Sequence, residues 1–324
     1  MKTLFSTLLI FLIIFHSPLP SVERKDKKNS LRYGPDGALF LDPYIFPHLK
    51  NLKGQRILDA GCSKNPYGIY AAQNGAYVHA IDIEPRIIEN AAEAVKEAEV
   101  QNYVELEIGD VSEINYPDQF FNLVLSINVG SYLPVTTEIY TINDQIRMTG
   151  LGPHCKEMAR VLKHDSLAIL AAPTSYGVVF TNGSDQKKMF AHIKEILEKI
   201  GTGEDITVIK NHLGTLAEVN RATFVCRNKG LSLVTDESEL EEGELVWRKV
   251  PGHVVHHRYH PEKEYQKALL EAGFTIQRID RPRFQNEQER LLYNQGRDEH
   301  EKLGEEYRYH HPFIIFVLKK TGSS

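Results

Sequence analysis

The sequence predicts an α/β fold: a doubly wound, mostly parallel sheet covered by helices on both faces. Short apolar runs recur from residue 56 onward, and helix-compatible stretches separate them. The runs are near-continuous, the mark of strands buried on both faces.

Arg56–Ala60 is the first strand. Pro66–Asn74 reads as a helix stopped by Gly75. Tyr77–Ile83 is the second strand. Pro85 suits a helix start, and Arg86–Val100 is an Ala- and Glu-rich helix. Val104–Ile108 is the third strand. Phe121–Ile127 is the fourth, apolar apart from Asn122 and Ser126. A helix over Cys155–Leu162 leads to the fifth strand, Leu167–Ala172. Pro261–Ala272 is a helix closed by Gly273; Phe274–Asp280 and Phe313–Leu318 complete seven strands. Ala38–Leu52 is a short helical or irregular lead-in.

Residues 174–259 break this rhythm. They hold one helix, Gln186–Ile200, and strand-like pieces at Ala222–Cys226 and Leu245–Val250. We read them as an α+β insertion after strand 5 that elaborates the sheet, either as a lid or acceptor pocket or as a structural extension. The expected organisation is 1–22 as an N-terminal segment, 23–173 and 260–324 as two parts of one domain, and 174–259 as the insertion.

Composition narrows the function. The 324 residues are 42% hydrophobic and 25% charged, with a formal charge of -5. No Lys/Arg stripe is present, so a nucleic-acid partner is not expected. The acidic stretch Asp236–Glu244 reads as a solvated loop. Cys62, Cys155 and Cys226 make neither a disulfide framework nor a metal pair. The sequon Asn182-Gly183-Ser184 reads as a chance triplet. The N-terminus points elsewhere: Lys2 and the apolar run Leu4–Phe15 have the layout of a signal peptide. Arg24, Lys25, Lys27 and Lys28 follow, a flank that tends to stay in the cytoplasm. Both readings stand: a secretory signal peptide, or a short membrane anchor with the domain facing the cytoplasm.

The densest signal is Ile57-Leu58-Asp59-Ala60-Gly61-Cys62 with Asp82 at the end of strand 2. A carboxylate at a strand tip before a Gly turn suits a ligand with a positive end. Gly61 lets the backbone approach that ligand, and Asp82 is placed to accept hydrogen bonds from ribose hydroxyls. Taken singly, Asp59 is equally a turn or cap residue, and Asp110 a helix or turn cap. Cys62 reads as a packing residue and Tyr132 as a half-buried aromatic. His253, His256, His257 and His260 would point in pairs to opposite faces of a strand, which makes no metal site. Most read as surface or packing residues, with a general base as the alternative.

Together these pieces carry a resemblance. Ile57–Pro85 resembles the first and second motifs of class I methyltransferases, notably the type 11-like group, with Gly75 in register. Ile108-Gly109-Asp110-Val111 resembles the motif whose Asp caps the adenine amino group. Phe121–Ser126 resembles the following strand, with Asn122 where that family usually has Asp. Glu157–Lys163 and Tyr265–Phe274 resemble the helices before strand 5 and before the C-terminal hairpin. The resemblance covers residues 50–173 and 259–320. It implies a Rossmann-like methyltransferase fold with S-adenosylmethionine as cofactor, held by Asp59, Gly61, Asp82, Ile83, Asp110, Val111 and Asn128. It also implies methyl transfer to a small-molecule or lipid acceptor. Positioning and exclusion of water suffice for that chemistry, so no catalytic residue is named.

Ser63 and Asn65 stand where the family usually has glycine. Asn65 tolerates the left-handed conformation. A turn weakened at these positions would leave an inactive binding module, the alternative reading. A nicotinamide oxidoreductase fits less well, because only Gly61 of a GxGxxG turn is present and Asp59 would repel pyrophosphate.

Overall fold

The computed structural model describes residues 39–133, 138–142, 145–174, 222–227, 230–234, 240–241, 244–250, 253–258, 260–295 and 312–321. The N-terminal apolar run, the expected helix Gln186–Ile200 and the sequon at 182–184 lie outside them. Among the described residues no helix is long and apolar enough to cross a membrane.

The elements in chain order are a lead-in of α1 (Asp42–Ile45) and a 3-10 turn (Phe46–Leu49), then β1 (Arg56–Ala60), α2 (Pro66–Gln73), β2 (Tyr77–Asp82), α3 (Pro85–Glu97), β3 (Val104–Ile108) and β4 (Phe121–Ile127). A 3-10 turn at Gly130–Tyr132 precedes the hairpin β5 (Glu138–Ile142) and β6 (Gln145–Thr149). Next come α4 (Leu151–Val161) and β7 (Leu162–Pro173). β8 (Ala222–Arg227), β9 (Gly230–Val234), β10 (Leu245–Val250) and β11 (His253–Arg258) follow. The chain ends with α5 (Glu262–Glu271), β12 (Phe274–Asp280), α6 (Glu287–Asn294) and β13 (Phe313–Lys320).

The main sheet has seven strands in the order β12-β13-β7-β4-β1-β2-β3. β3, β2, β1, β4 and β7 are parallel neighbours, and β13 runs antiparallel between β7 and β12. This is the expected doubly wound, mostly parallel sheet. Successive residues of a strand face opposite sides. Leu58, Ala60 and Val124 therefore join α4 and α5 on one face, while Ile57, Leu123 and Leu125 join α2 and α3 on the other. Strand order reverses between β1 and β4, which opens a crevice at their carboxyl ends, where such sheets take ligands.

Four expectations are corrected. The pieces at 222–258 do not extend the main sheet; they form an antiparallel sheet of their own, β11-β10-β8-β9. α4 starts at Leu151, earlier than Cys155, because Gly150 turns the chain at φ 148 and Pro153 is tolerated in a first turn. β7 starts at Leu162, not Leu167: Leu162 pairs with Phe121 across a polar stretch where Asp165 is left-handed. α3 stops at Glu97, and Glu99 just beyond it is left-handed. The hairpin β5–β6, strand β9 and helix α6 were not anticipated.

Candidate functional site

The tip of β1 carries the strongest anomaly. Asp59 faces α2 with Ile57 and is 3% exposed. Its Oδ2 has no hydrogen-bond partner among the described residues. Burial, aided by the charge of nearby Asp82 and opposed by an N–H from Gly68, pushes its pKa up to about 8. A buried carboxyl without a cation holds its proton; a cationic ligand would reverse that.

The turn that follows is stitched to β2. Gly61 and Cys62 donate their N–H groups to Ile81 O at 2.8 and 3.0 Å. Gly61 has φ 73, and a Cβ there would lie 2.3 Å from Val129 Cγ2, so the turns after β1 and β4 touch. Ser63 and Asn65 are left-handed too, at φ 51 and 56. The turn thus keeps a glycine-like path at a cost of roughly 1–2 kcal/mol per residue. Asn65 is fully buried, and neither amide atom has a hydrogen-bond partner among the described residues. A Cβ on Gly68 would lie 1.8 Å from Asn65 Oδ1, so Gly68 makes the room that Asn65 fills.

Asp82 ends β2. Its Oδ2 accepts from Ser63 N at 3.3 Å and its Oδ1 from Glu84 N at 3.2 Å. Burial raises its pKa against these donors. Ile83 beside it is 58% exposed, an apolar face in water. After β3, Gly109 N donates to Asp82 O at 3.0 Å. Asp110 is buried, and its Oδ1 accepts from Ser112 N at 2.7 Å. Val111 is buried next to it.

Asn128 follows β4 at φ 63, with Oδ1 buried and lacking a hydrogen-bond partner among the described residues. Ser131 Oγ donates to Asn128 O at 3.0 Å. Tyr132 is more exposed than expected, at 51%. Helix α5 packs against this loop, and a Cβ on Gly130 would lie 2.7 Å from Tyr265 Cε1. His260 is buried and donates from Nε2 to Leu133 O at 2.7 Å. Of the other three histidines, β11 carries His253, His256 and His257.

All seven residues singled out from the sequence therefore sit at the carboxyl tips of β1, β2, β3 and β4 or just beyond. Sequence reasoning missed His154 on α4. It is fully buried between Ser126 Oγ, 2.8 Å from Nε2, and Val111 O, 3.1 Å from Nδ1. Cys62 is buried, which pushes its thiol pKa up and suits packing rather than nucleophilic work. Among the described residues no group of three or more His, Cys, Asp or Glu side chains is arranged to hold a metal ion.

A family model described as a methyltransferase domain matches residues 51–224. No curated protein matches the chain. Many solved structures do. One is a candidate S-adenosylmethionine-dependent methyltransferase from Listeria monocytogenes, at TM-score 0.51 and 19% identity, covering 86% of this chain and 95% of that one. Another is an S-adenosylmethionine-dependent methyltransferase from Mesorhizobium loti, at TM-score 0.50 and 16% identity, covering 89% and 99%. These likenesses establish the fold.

Proposed function

The chain belongs to the methyltransferase-domain family, the class I S-adenosylmethionine-dependent methyltransferases, and on that premise we propose that it moves a methyl group from S-adenosylmethionine to a small-molecule or lipid acceptor. The observation that carries this reading is the set of carboxylates at three adjacent strand tips, one of them with a buried oxygen that lacks a hydrogen-bond partner among the described residues.

The residues fit the cofactor. Asp59 Oδ2 is a buried acceptor in want of a donor, which the cofactor's ammonium supplies directly or through water. Gly61 keeps the backbone low where a side chain would fill the space against Val129. Asp82 would accept from the ribose hydroxyls. Asp110 and Val111 would meet the base, with exposed Ile83 as an apolar surface for its ring. Asn128 Oδ1 would accept from the ligand at the crevice between β1 and β4. When bound, S-adenosylmethionine supplies an electrophilic methyl group on a sulfonium. The chain's own part is to hold and orient that group and to exclude water from it. The antiparallel sheet β11-β10-β8-β9, read as part of the insertion, would serve the acceptor side or be a structural extension.

The left-handed Ser63 and Asn65 support the active reading over an inactive binding module, because the turn keeps its path without glycine. A thermal-shift panel tests the cofactor. S-adenosylmethionine and S-adenosylhomocysteine should raise the melting temperature and NAD should not. Stabilisation by NAD alone would overturn the proposal. Transfer of a labelled methyl group to lipid and small-molecule extracts then tests activity, and no transfer to any fraction favours the binding module. The N-terminal run would deliver or tether the domain; sequencing the mature N-terminus after fractionation separates a cleaved signal from a retained anchor.

A further inference from the structure

Helix α4 holds the whole segment that follows β3. His154, Glu157 and Arg160 lie on successive turns of the helix, and each reaches the backbone of residues 111–116. His154 Nδ1 faces the Val111 carbonyl, which only accepts, so Nδ1 carries the proton and donates at 3.1 Å. Nε2 is then the acceptor for the Ser126 hydroxyl at 2.8 Å. Glu157 Oε2 accepts from Ile114 N at 2.8 Å. Arg160 donates to Ile114 O at 2.6 Å, to Tyr116 O at 2.7 Å and to Asp118 at 2.8 Å. Thr149, just ahead of the helix, places Oγ1 3.3 Å from Ser112 Oγ.

The segment forms no helix and no strand of the sheet, so its shape is imposed from α4. The Val111 carbonyl is where that control meets the candidate pocket. Asp110 Oδ1 is bonded to Ser112 N, so the turn carrying Asp110 and Val111 moves as a unit with that carbonyl. We propose that His154, supported by Glu157 and Arg160, is a positioning residue that fixes Asp110 and Val111 and so sets how selectively the site takes adenine. This rests on the reading of Asp110 and Val111 as base-contacting residues. His154 is fully buried and acts through Val111. Burial lowers its pKa to about 4, so the donor–acceptor arrangement is held at all neutral pH values.

The test compares two ligands by calorimetry. S-adenosylhomocysteine carries the adenine amino group, and S-inosylhomocysteine has a carbonyl in its place. The wild type should prefer the first by about tenfold or more, the worth of one well-placed hydrogen bond. In His154→Asn the amide nitrogen stands near the Nδ1 position and keeps the donor, so the preference should persist. The double variant His154→Leu/Ser126→Ala removes the donor without stranding the hydroxyl. It should lose about tenfold in affinity for the adenine ligand and change less than about twofold for the inosine ligand, which collapses the preference. A merely structural role would weaken both ligands equally; an unchanged ratio therefore overturns the proposal. Should the double variant unfold, Arg160→Gln loosens the same segment from a partly exposed position. It should lower the ratio about threefold, and an unchanged ratio again overturns the proposal. A wild type that binds neither ligand would sink the cofactor reading itself, which separates the two failures.

Discussion

The turn after β1 and the segment after β3 lie at the same edge of one sheet, yet they treat their polar groups differently. In the β1 turn, three of five residues are left-handed, and Asp59 and Asn65 bury polar atoms without hydrogen-bond partners among the described residues. In the β3 segment, Val111, Ser112, Ile114 and Tyr116 all have backbone groups engaged by side chains. Each buried unpaired group costs about 1–3 kcal/mol. A fold keeps such a cost where a ligand repays it. The first loop is therefore built to be completed by something else, and the second to stay where it is.

The sharpest way to break this contrast is Asp59→Leu. Removing one partner of a buried charge pair costs about 3–5 kcal/mol, so cofactor affinity should fall by more than about a hundredfold. Stability without cofactor should change little, because the substitution removes a buried oxygen that lacks a partner among the described residues while the Gly68 N–H loses its acceptor. Parallel calorimetry and denaturant titration check both halves. Lost stability with intact binding would contradict the account.

Next in size is Gly68→Ala. In an ordinary helix this exchange gains about 1 kcal/mol. Here the new Cβ would lie 1.8 Å from Asn65 Oδ1, so a loss of about 3 kcal/mol is expected from overpacking. Asn65→Gly in the same chain should recover most of it. Simple additivity in a double-mutant cycle would show that the two positions do not compete for space.

The pH dependence follows from Asp59. Its carboxyl moves from an ordinary 3.8 to about 8 in the folded chain. A raised folded value means that the contribution is complete below the unfolded pKa and is lost as pH rises through the folded one. The melting temperature of the ligand-free wild type should therefore decline relative to Asp59→Asn between about pH 4 and pH 8. A cation needs the carboxylate, so binding at pH 7 should release a proton. The calorimetric heat should then vary with the buffer's ionisation enthalpy at pH 7, and that dependence should lessen in Asp59→Asn. Heat independent of buffer at pH 7 would place Asp59 outside the binding event.

The smallest effect concerns Ser63→Gly. Relieving one left-handed residue should stabilise the chain by about 1 kcal/mol and change cofactor affinity by less than about threefold. A large gain in affinity would mark the natural turn as degenerate.

Much of the sheet was legible in the sequence because its central strands are buried on both faces. β1 and β4 begin and end where their apolar runs do, whereas β3 and β12, at the two edges of the sheet, carry polar residues between apolar ones. The strand-tip residues were legible through their combination: Asp59 alone reads equally as a turn or cap residue, but Asp59, Gly61, Asp82 and Asp110 recur at successive strand ends. Polar pairing was not. Lys163–Ser166 form an irregularity of β7 between the Phe121–Leu162 and Leu123–Leu167 pairs with β4, and the hairpin β5–β6 has no apolar run to announce it. Helix α6 is capped by Asn286, whose Oδ1 accepts from Glu289 N at 2.9 Å, a capping signal present in the sequence. His154 could not be read at all: Val111 and Ser126 lie 43 and 28 residues from it along the chain. Asn65 looked like a defect in the turn until its packing against Gly68 was visible.

The most direct test is a calorimetric titration of the wild type and Asp82→Ala with S-adenosylmethionine. The wild type should show one site per chain, and the variant an affinity at least about tenfold weaker from the lost ribose contacts. Equal affinity in the two proteins, or no heat and no thermal shift in the wild type, would contradict the cofactor reading.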